Sequence, residues 1–187
     1  MRRISERINI PFTVGGGISS LDDARRLLEA GADKISINTA AVARPELISE
    51  IAEAYGSQFV VVAIDARKAA GGQWRVTTHG GSRDTDRELF EWAGEAQRRG
   101  AGEILFTSMD HDGTRGGYPL DVYERLNRAL GIPVIASGGA GCAEHIAEVL
   151  RPGRADAALA AGIFHYGTIT IPLLKQQLAK LDIPVRL

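Results

Sequence analysis

One aspartate of this chain follows an apolar run directly and is suited to acid–base chemistry. Asp65 ends the run Phe59–Ile64, which has the composition of a buried strand. Active sites of parallel α/β barrels lie at the carboxyl ends of strands, where a carboxyl can act as general acid or base. The structural alternative is that Asp65 caps a helix or pairs with Arg67 or Lys68. The residues alone leave both alternatives open.

A second aspartate-rich segment follows the apolar run Glu103–Thr107. The segment Thr107–Thr114 carries Asp110 and Asp112, and Gly113 comes directly after the second of them. An Asp-Gly pair is typical of a turn, in which Asp112 is only the capping residue. At the end of a barrel strand the same residues can instead line a ligand site.

Paired glycines follow two other predicted strands. Gly15–Gly17 and Ser137–Gly139 each stand between an apolar run and a helical pattern, where backbone N–H groups can approach an anion. The ends of the next strands, Asn38–Thr39 and Ala161–Gly162, would complete each site. A single Gly-Gly turn is more often only a tight turn, but two in equivalent positions favour phosphate binding. The sequence has no lysine-bearing Walker loop, which disfavours a nucleoside triphosphate.

The two glycine turns belong to an internal repeat. Gly16–Ala24 aligns with Gly138–Ile146, and Ile37–Ala40 aligns with Ala160–Ile163, at an offset of about 122 residues. That offset holds four βα units of about 30 residues, as in one half of a twofold-symmetric barrel. We therefore expect the barrel's first two units to be missing before residue 1. Chance similarity between two turns is the alternative.

Short apolar runs alternate with longer amphipathic runs along the whole chain. This alternation predicts the α/β class, as a single (βα)8 TIM-barrel domain over residues 1–187 with six of the eight βα units present. The predicted strands are Phe12–Val14, Lys34–Ile37, Phe59–Ile64, Glu103–Thr107, Pro133–Ala136 and Ala157–Ala161. The predicted helices are Leu21–Ala30, Pro45–Tyr55, Asp86–Arg99, Leu120–Ala129, Ala143–Leu150 and Pro172–Leu181.

Composition excludes several classes of function. The net charge of −1 argues against a nucleic-acid or anionic-membrane surface. No run approaches the roughly 18 apolar residues of a membrane span, and the start lacks the apolar run of a signal peptide. Cys142 is the single cysteine, which fits a reducing compartment, and we expect a cytoplasmic protein. The 187 residues fall short of the roughly 250 of a complete barrel.

Several segments together resemble the cyclase subunit of imidazole glycerol phosphate synthase. The resemblance covers essentially the whole chain and is carried by Phe12–Ile18, Ala32–Val42, Gly56–Gln58, Val61–Ala66, Thr107–Thr114, Gly117–Tyr118 and Ala136–Gly141. It implies a phosphate-binding barrel of histidine biosynthesis. In that family, ammonia from a glutaminase partner attacks a bis-phosphorylated formimino aminoimidazole carboxamide ribotide. Ring closure gives imidazole glycerol phosphate and releases aminoimidazole carboxamide ribotide.

The resemblance also implies roles for individual residues. Asp65 matches one of two aspartates that serve as general acid and base. The other aspartate and a lysine belong to the first strand and its loop, and this sequence contains neither. The matched phosphate- and substrate-binding residues are Gly17, Asn38, Thr39, Thr107, Asp112, Gly113, Ser137, Gly139, Ala161 and Gly162.

Two charged residues begin predicted strands at the opposite end. On sequence alone, Lys34 and Glu103 are most simply solvated charges. The resemblance implies instead an ammonia gate there, with the glutaminase docked over the N-terminal face of the barrel. The four histidines show no metal-ligand spacing, and we expect neither a metal nor an organic cofactor.

Two other functions compete with cyclisation. A catalytically incomplete remnant would bind bis-phosphorylated ligand or the glutaminase without turnover. Six strands cannot close an eight-stranded barrel, so the open edge predicts self-association. The sister isomerase of the same pathway is disfavoured, because it lacks the sequence motifs found here at Asn38–Val42 and Val62–Asp65.

Overall fold

The computed structural model describes residues 2–186 and contains one curled sheet covered by helices. The strands are β1 (Thr13–Gly15), β2 (Lys34–Ile37), β3 (Val60–Lys68), β4 (Trp74–Thr78), β5 (Arg83–Glu88), β6 (Glu103–Ser108), β7 (Val134–Ser137) and β8 (Ala157–Ala158). The helices are α1 (Arg2–Ser5), α2 (Leu21–Glu29), α3 (Thr39–Ala43), α4 (Glu46–Tyr55), α5 (Leu89–Arg98), α6 (Leu120–Ala129), α7 (Ala143–Val149), α8 (Gly162–His165) and α9 (Ile171–Lys180).

Six strands form the parallel part of the sheet in the order β1-β2-β3-β6-β7-β8. Each is followed by at least one helix, which confirms the α/β class and the six predicted βα units. Neighbouring strands are therefore joined by helical crossovers, as in a partial (βα)8 barrel. Within residues 2–186, β1 and β8 are the two edges of the parallel sheet.

The alternation of buried and partly exposed side chains along β2 distinguishes the two faces of the sheet. Ile35 and Ile37 are buried towards the helices, whereas Lys34 and Ser36 are partly exposed on the concave face. The helix-facing layer contains the largest buried side chains, and Phe106 contacts the rings of Trp74 and Tyr123 there at 5.7 and 5.3 Å between centroids. Truncating such a ring to alanine costs roughly 3–5 kcal/mol. This layer fixes the strands that carry the candidate site.

The sequence prediction was wrong between β3 and α5. β3 continues to Lys68 instead of ending at Ile64, because its second half pairs antiparallel with β4. Residues 86–88, predicted as helix, belong to β5, which completes a β4–β5 hairpin. The helix begins at Leu89, where the Glu88 side chain accepts hydrogen bonds from the first backbone N–H groups. Pairing with β4 outweighs the weak strand propensity of the charged β5 segment.

Smaller differences concern strand ends. β1 is shifted by one residue relative to the predicted Phe12–Val14, and β8 is limited to Ala157–Ala158 rather than extending to Ala161. The short helices α3 and α8 each start at a residue predicted to bind phosphate, directly after β2 and β8 respectively. No helix within residues 2–186 is long and apolar enough to cross a membrane.

Candidate active site

The first glycine turn opens into a cavity of about 550 Å³ at the carboxyl end of β1 and β2. Gly17 lies after β1, and Asn38 and Thr39 lie after β2; all three line this cavity together with Asp65. Among residues 2–186, no acceptor takes the backbone N–H of Gly17 or Thr39. Unpaired N–H groups of this kind can bind an anion, and phosphate binding at this turn stays a prediction.

The carboxylate of Asp65 is held by two neighbouring side chains. The Asn38 amide Nδ2 donates to Asp65 Oδ2 at 2.9 Å, and the register pairs Asp65 with Thr107 of β6. Burial raises the pKa of Asp65, an effect that hydrogen bonds from Asn38 and Thr107 oppose and that the nearby charge of Asp112 reinforces. The raised pKa moves this carboxyl towards the range in which a group can both take and return a proton. Neither Arg67 nor Lys68 pairs with it, so the ion-pair alternative was wrong.

The tip of the β4–β5 hairpin closes one side of the first cavity, which no pattern in the residues predicted. The His79 backbone N–H donates to Thr39 Oγ1 at 3.1 Å. Because that hydroxyl oxygen accepts from His79, its proton remains free to donate into the cavity. Gly80 lines the cavity, and Arg67 donates to the carbonyl of Gly81, so the tip is fixed from both sides.

The second glycine turn lines a cavity of about 300 Å³ at the carboxyl end of β7 and β8. The predicted residues Asp112, Gly113, Ser137, Gly139, Ala161 and Gly162 all line it. As in the first turn, the backbone N–H groups of Gly139 and Gly162 have no acceptor in the described part of the chain. Two sets of residues far apart in sequence thus form two similar arrangements of unpaired backbone N–H groups.

Close packing surrounds the second turn. Gly139 has φ 121°, and a Cβ there would lie 2.1 Å from the carbonyl oxygen of Gly117. Only glycine fits this approach. Behind the turn, the buried Tyr123 hydroxyl accepts from the Ser137 N–H at 3.1 Å and lies 3.1 Å from the Phe106 carbonyl oxygen. This hydroxyl ties the ends of β6 and β7 together, and burial raises its pKa well above the ordinary value.

Comparison with known proteins decides the family. The sequence matches the family described as "Histidine biosynthesis protein" over residues 1–170. The chain is 55% identical over all 187 residues to the imidazole glycerol phosphate synthase subunit HisF of Phocaeicola vulgatus and covers 74% of it. It is 54% identical over the same length to the HisF subunits of Anoxybacillus flavithermus and Flavobacterium psychrophilum, again covering 74% of each.

The chain belongs to the histidine biosynthesis protein family. The expected likeness to the cyclase subunit of imidazole glycerol phosphate synthase is thereby confirmed, as is the expected place in histidine biosynthesis. The chain spans about three quarters of the relatives' length, in line with six βα units rather than eight.

The far end of the sheet in this family member carries an ion pair. Lys34 Nζ and Glu103 Oε1 are in direct contact across β3, with 28% and 20% of their side chains exposed. The register places Glu103 of β6 level with Ser36 of β2, through Val61 of β3. Lys34 lies two residues before Ser36, on the same face of β2, so its long side chain can reach the Glu103 carboxylate. The two residues are therefore neither isolated nor fully solvated. Their role as a gate stays a prediction.

Two polar residues near the site have structural contacts. Asp110 lies in the turn after β6, and its Oδ2 accepts from the Lys68 N–H at 2.8 Å, so it supports the end of β3. His111 Nδ1 lies 2.8 Å from Ser108 Oγ, which fixes the same turn. Within residues 2–186, no three His, Cys, Asp or Glu side chains are grouped so that they could hold a metal ion.

Two side chains at the second cavity were not predicted from the sequence. Arg115 and Tyr166 both line it, and the Arg115 guanidinium carbon lies 5.9 Å from the centre of the Tyr166 ring. Arg115 has a positive φ of 59°, which no sequence pattern signals for an arginine.

Proposed function

We propose that this chain is the body of an imidazole glycerol phosphate synthase cyclase that holds a bis-phosphorylated substrate at both ends and supplies Asp65 as general acid or base. The observation that carries the proposal is the position of Asp65 on β3, between strands that lead to two glycine turns with unpaired backbone N–H groups. The relatives' identity as synthase subunits supports the same chemistry.

The two turns suit a ligand with a phosphate at each end. Each offers backbone N–H groups, which can donate hydrogen bonds to phosphate oxygens without carrying a full positive charge. A substrate anchored at both ends lies across the concave face of the sheet, where Asp65 points. Fixing both ends supplies much of the rate enhancement by positioning alone.

Asp65 would exchange a proton with the reacting carbons and nitrogens during ring closure. Burial raises the pKa of this carboxyl, while Asn38 keeps one of its oxygens fixed. Ammonia is the nucleophile in the proposed reaction, and no metal or organic cofactor is required for it.

We also propose that a glutaminase supplies the ammonia at the opposite end of the sheet. The Lys34–Glu103 pair lies at the amino ends of β2 and β6, away from the two turns. Half-buried opposite charges at that end fit a gate that opens when the pair separates.

The test is ammonia-dependent turnover at saturating ammonium, so that no glutaminase is needed. Asp65→Asn should lower the rate by about 100- to 10,000-fold while substrate affinity changes little. Asp121→Asn is the matched control, because Asp121 is exposed in the first turn of α6 and lines neither cavity. Wild-type turnover in the Asp65 variant would refute the role.

A second candidate is a body that binds the bis-phosphorylated ligand without turning it over. The observation in its favour is that β1 and β8 are open edges of the parallel sheet within residues 2–186. Self-association through these edges is part of this candidate. It predicts ligand binding without turnover, and turnover restored by a fragment equivalent to the part of a full-length relative that this chain does not match.

A further inference from the structure

The second cavity contains one positive charge that backbone binding of phosphate does not explain. Its lining includes the Arg115 side chain and the carboxyl-bearing Asp112. A phosphate beside Asp112 meets a like charge, which the neutral N–H groups of Gly139 and Gly162 do not cancel. An arginine at the same cavity supplies the missing countercharge and can bind two phosphate oxygens at once.

The backbone around Arg115 is built to place it there. Its φ of 59° is a left-handed conformation that disfavours any side chain. The conformation sets the Arg115 carbonyl against the glycine turn, where a Cβ on Gly141 would come within 2.3 Å of it. Strain of this kind persists where the surroundings enforce it and is concentrated at functional sites.

Tyr166 holds the guanidinium from the other side of the cavity. The guanidinium carbon lies 5.9 Å from the centre of the Tyr166 ring, and the ring is 73% exposed, so packing in the core does not account for its position. A cation over an aromatic face is attracted to it. The contact joins the loop after β6 to the helix α8 that follows β8, and so spans the mouth of the cavity.

We propose that Arg115, held by Tyr166, is the phosphate-binding cation of the second cavity and makes that end the tighter of the two phosphate sites. The inference rests on the proposed function, since it assigns the countercharge for one end of the same ligand. Among residues 2–186, no lysine or arginine lines the first cavity, whose lining is Gly16–Ser19, Ser36–Ala40, Ala43, Ala63, Asp65 and Gly80.

The experiment is a titration of the chain with inorganic phosphate at low ionic strength, followed by nuclear magnetic resonance of backbone amides. Gly139 and Gly162 report on the second cavity, and Gly17 and Thr39 report on the first. Arg115→Gln should weaken phosphate binding at the second pair of reporters about tenfold and leave the first pair unchanged. Arg151→Gln is the control, because Arg151 is exposed and lines neither cavity.

Three further variants separate binding from folding. Arg115→Gly relieves the left-handed strain, so it should raise the denaturant midpoint while still losing about tenfold in phosphate affinity. Tyr166→Phe keeps the ring and should bind as wild type, whereas Tyr166→Leu should bind a few-fold more weakly.

The outcomes distinguish the two proposals. If the wild type binds phosphate at both cavities and Arg115→Gln matches it at the second, the arginine assignment is wrong and the two-phosphate function stands. If the wild type binds phosphate at neither cavity, both proposals fail. Loss at the second cavity alone, with improved stability of the glycine variant, supports the assignment.

Discussion

The two glycine turns have similar backbone conformations but differ in how tightly the surrounding residues pack against them. Gly16 and Gly17 in the first turn, like Gly138 and Gly139 in the second, have positive φ values. A Cβ on Gly17 would meet nothing within 4 Å, whereas one on Gly139 would meet a carbonyl oxygen at 2.1 Å. The first turn is open on the side where the second is tightly packed.

Side chains at equivalent positions differ in the same way. The repeat aligns Asn38 and Thr39 of the first half with Ala161 and Gly162 of the second. The first half uses its polar side chains to hold Asp65 and the hairpin tip. The second half has bare backbone there and places its charge on Arg115 instead. Under the proposed function, one repeated backbone would serve acid–base chemistry in one half and ligand anchoring in the other.

The largest loss of stability should come from replacing a glycine of each turn with alanine. Gly139→Ala must accommodate both an unfavourable φ and the carbonyl of Gly117, so it should lower the free energy of unfolding by about 3 kcal/mol or more. Gly17→Ala meets only the backbone cost, about 1 kcal/mol. Urea unfolding of both variants measures the difference, and equal losses would show that the second turn is no more tightly packed than the first.

Removing the hydroxyl of Thr39 should affect the first half alone. Thr39→Val takes away the acceptor of the His79 N–H and the donor that faces the cavity, so phosphate affinity at the first cavity should fall about tenfold. Binding at the second cavity should not change. Thr85→Val is the control, because Thr85 Oγ1 donates to the Val76 carbonyl within the hairpin. A uniform loss at both cavities would contradict the separation of the two sites.

The pH dependence of stability should reveal the buried carboxyl of the first half. Burial raises the pKa of Asp65 above its ordinary value of 3.8, so the folded protein holds that proton more tightly than the unfolded chain does. This contribution to stability is present below the ordinary pKa and is lost as the pH rises through the raised pKa. Asp65→Asn should therefore gain stability over wild type at neutral pH, and the gain should vanish in acid. Denaturant midpoints across that range test it; a gain that grows in acid would contradict the sign.

The smallest expected effect is the coupling energy of the ion pair that links β2 to β6 at the amino ends of the strands. Lys34 and Glu103 are partly exposed, so their coupling should be about 1 kcal/mol or less. A double-mutant cycle with Lys34→Met and Glu103→Gln measures it. Zero coupling would mean that the two charges stabilise the fold independently and that their contact contributes nothing.

Much of the fold could be predicted, because buried parallel strands and their helices have distinct patterns. β2 and α6 have the predicted bounds, since short apolar and amphipathic runs signal them clearly. The hairpin could not be predicted, because the β5 segment Arg83–Glu88 is almost entirely polar and becomes a strand only by pairing with β4. Tertiary pairing of this kind leaves no local signal.

The candidate site likewise has a part that could be predicted from the sequence and a part that could not. Asp65 and Ser137 are predicted from the rule that barrel sites lie at the carboxyl ends of strands, although β3 continues past Asp65 to Lys68. The contact between Asn38 and Asp65 and the position of Arg115 depend on register and on a left-handed backbone. Neither property can be derived from the residue types.

The hairpin that extends β3 has a consequence for motion. At Asp65 the strand pairs with β4 and with β6, whereas the first glycine turn follows the edge strand β1 and the second follows β7, next to the edge strand β8. Backbone amides around Asp65 should exchange with deuterium as slowly as any in the sheet, and those of the turns much faster. The proposed proton-transferring carboxyl would therefore lie on the most rigid part of the sheet, and adjustment to the length of a ligand would take place at the two glycine turns.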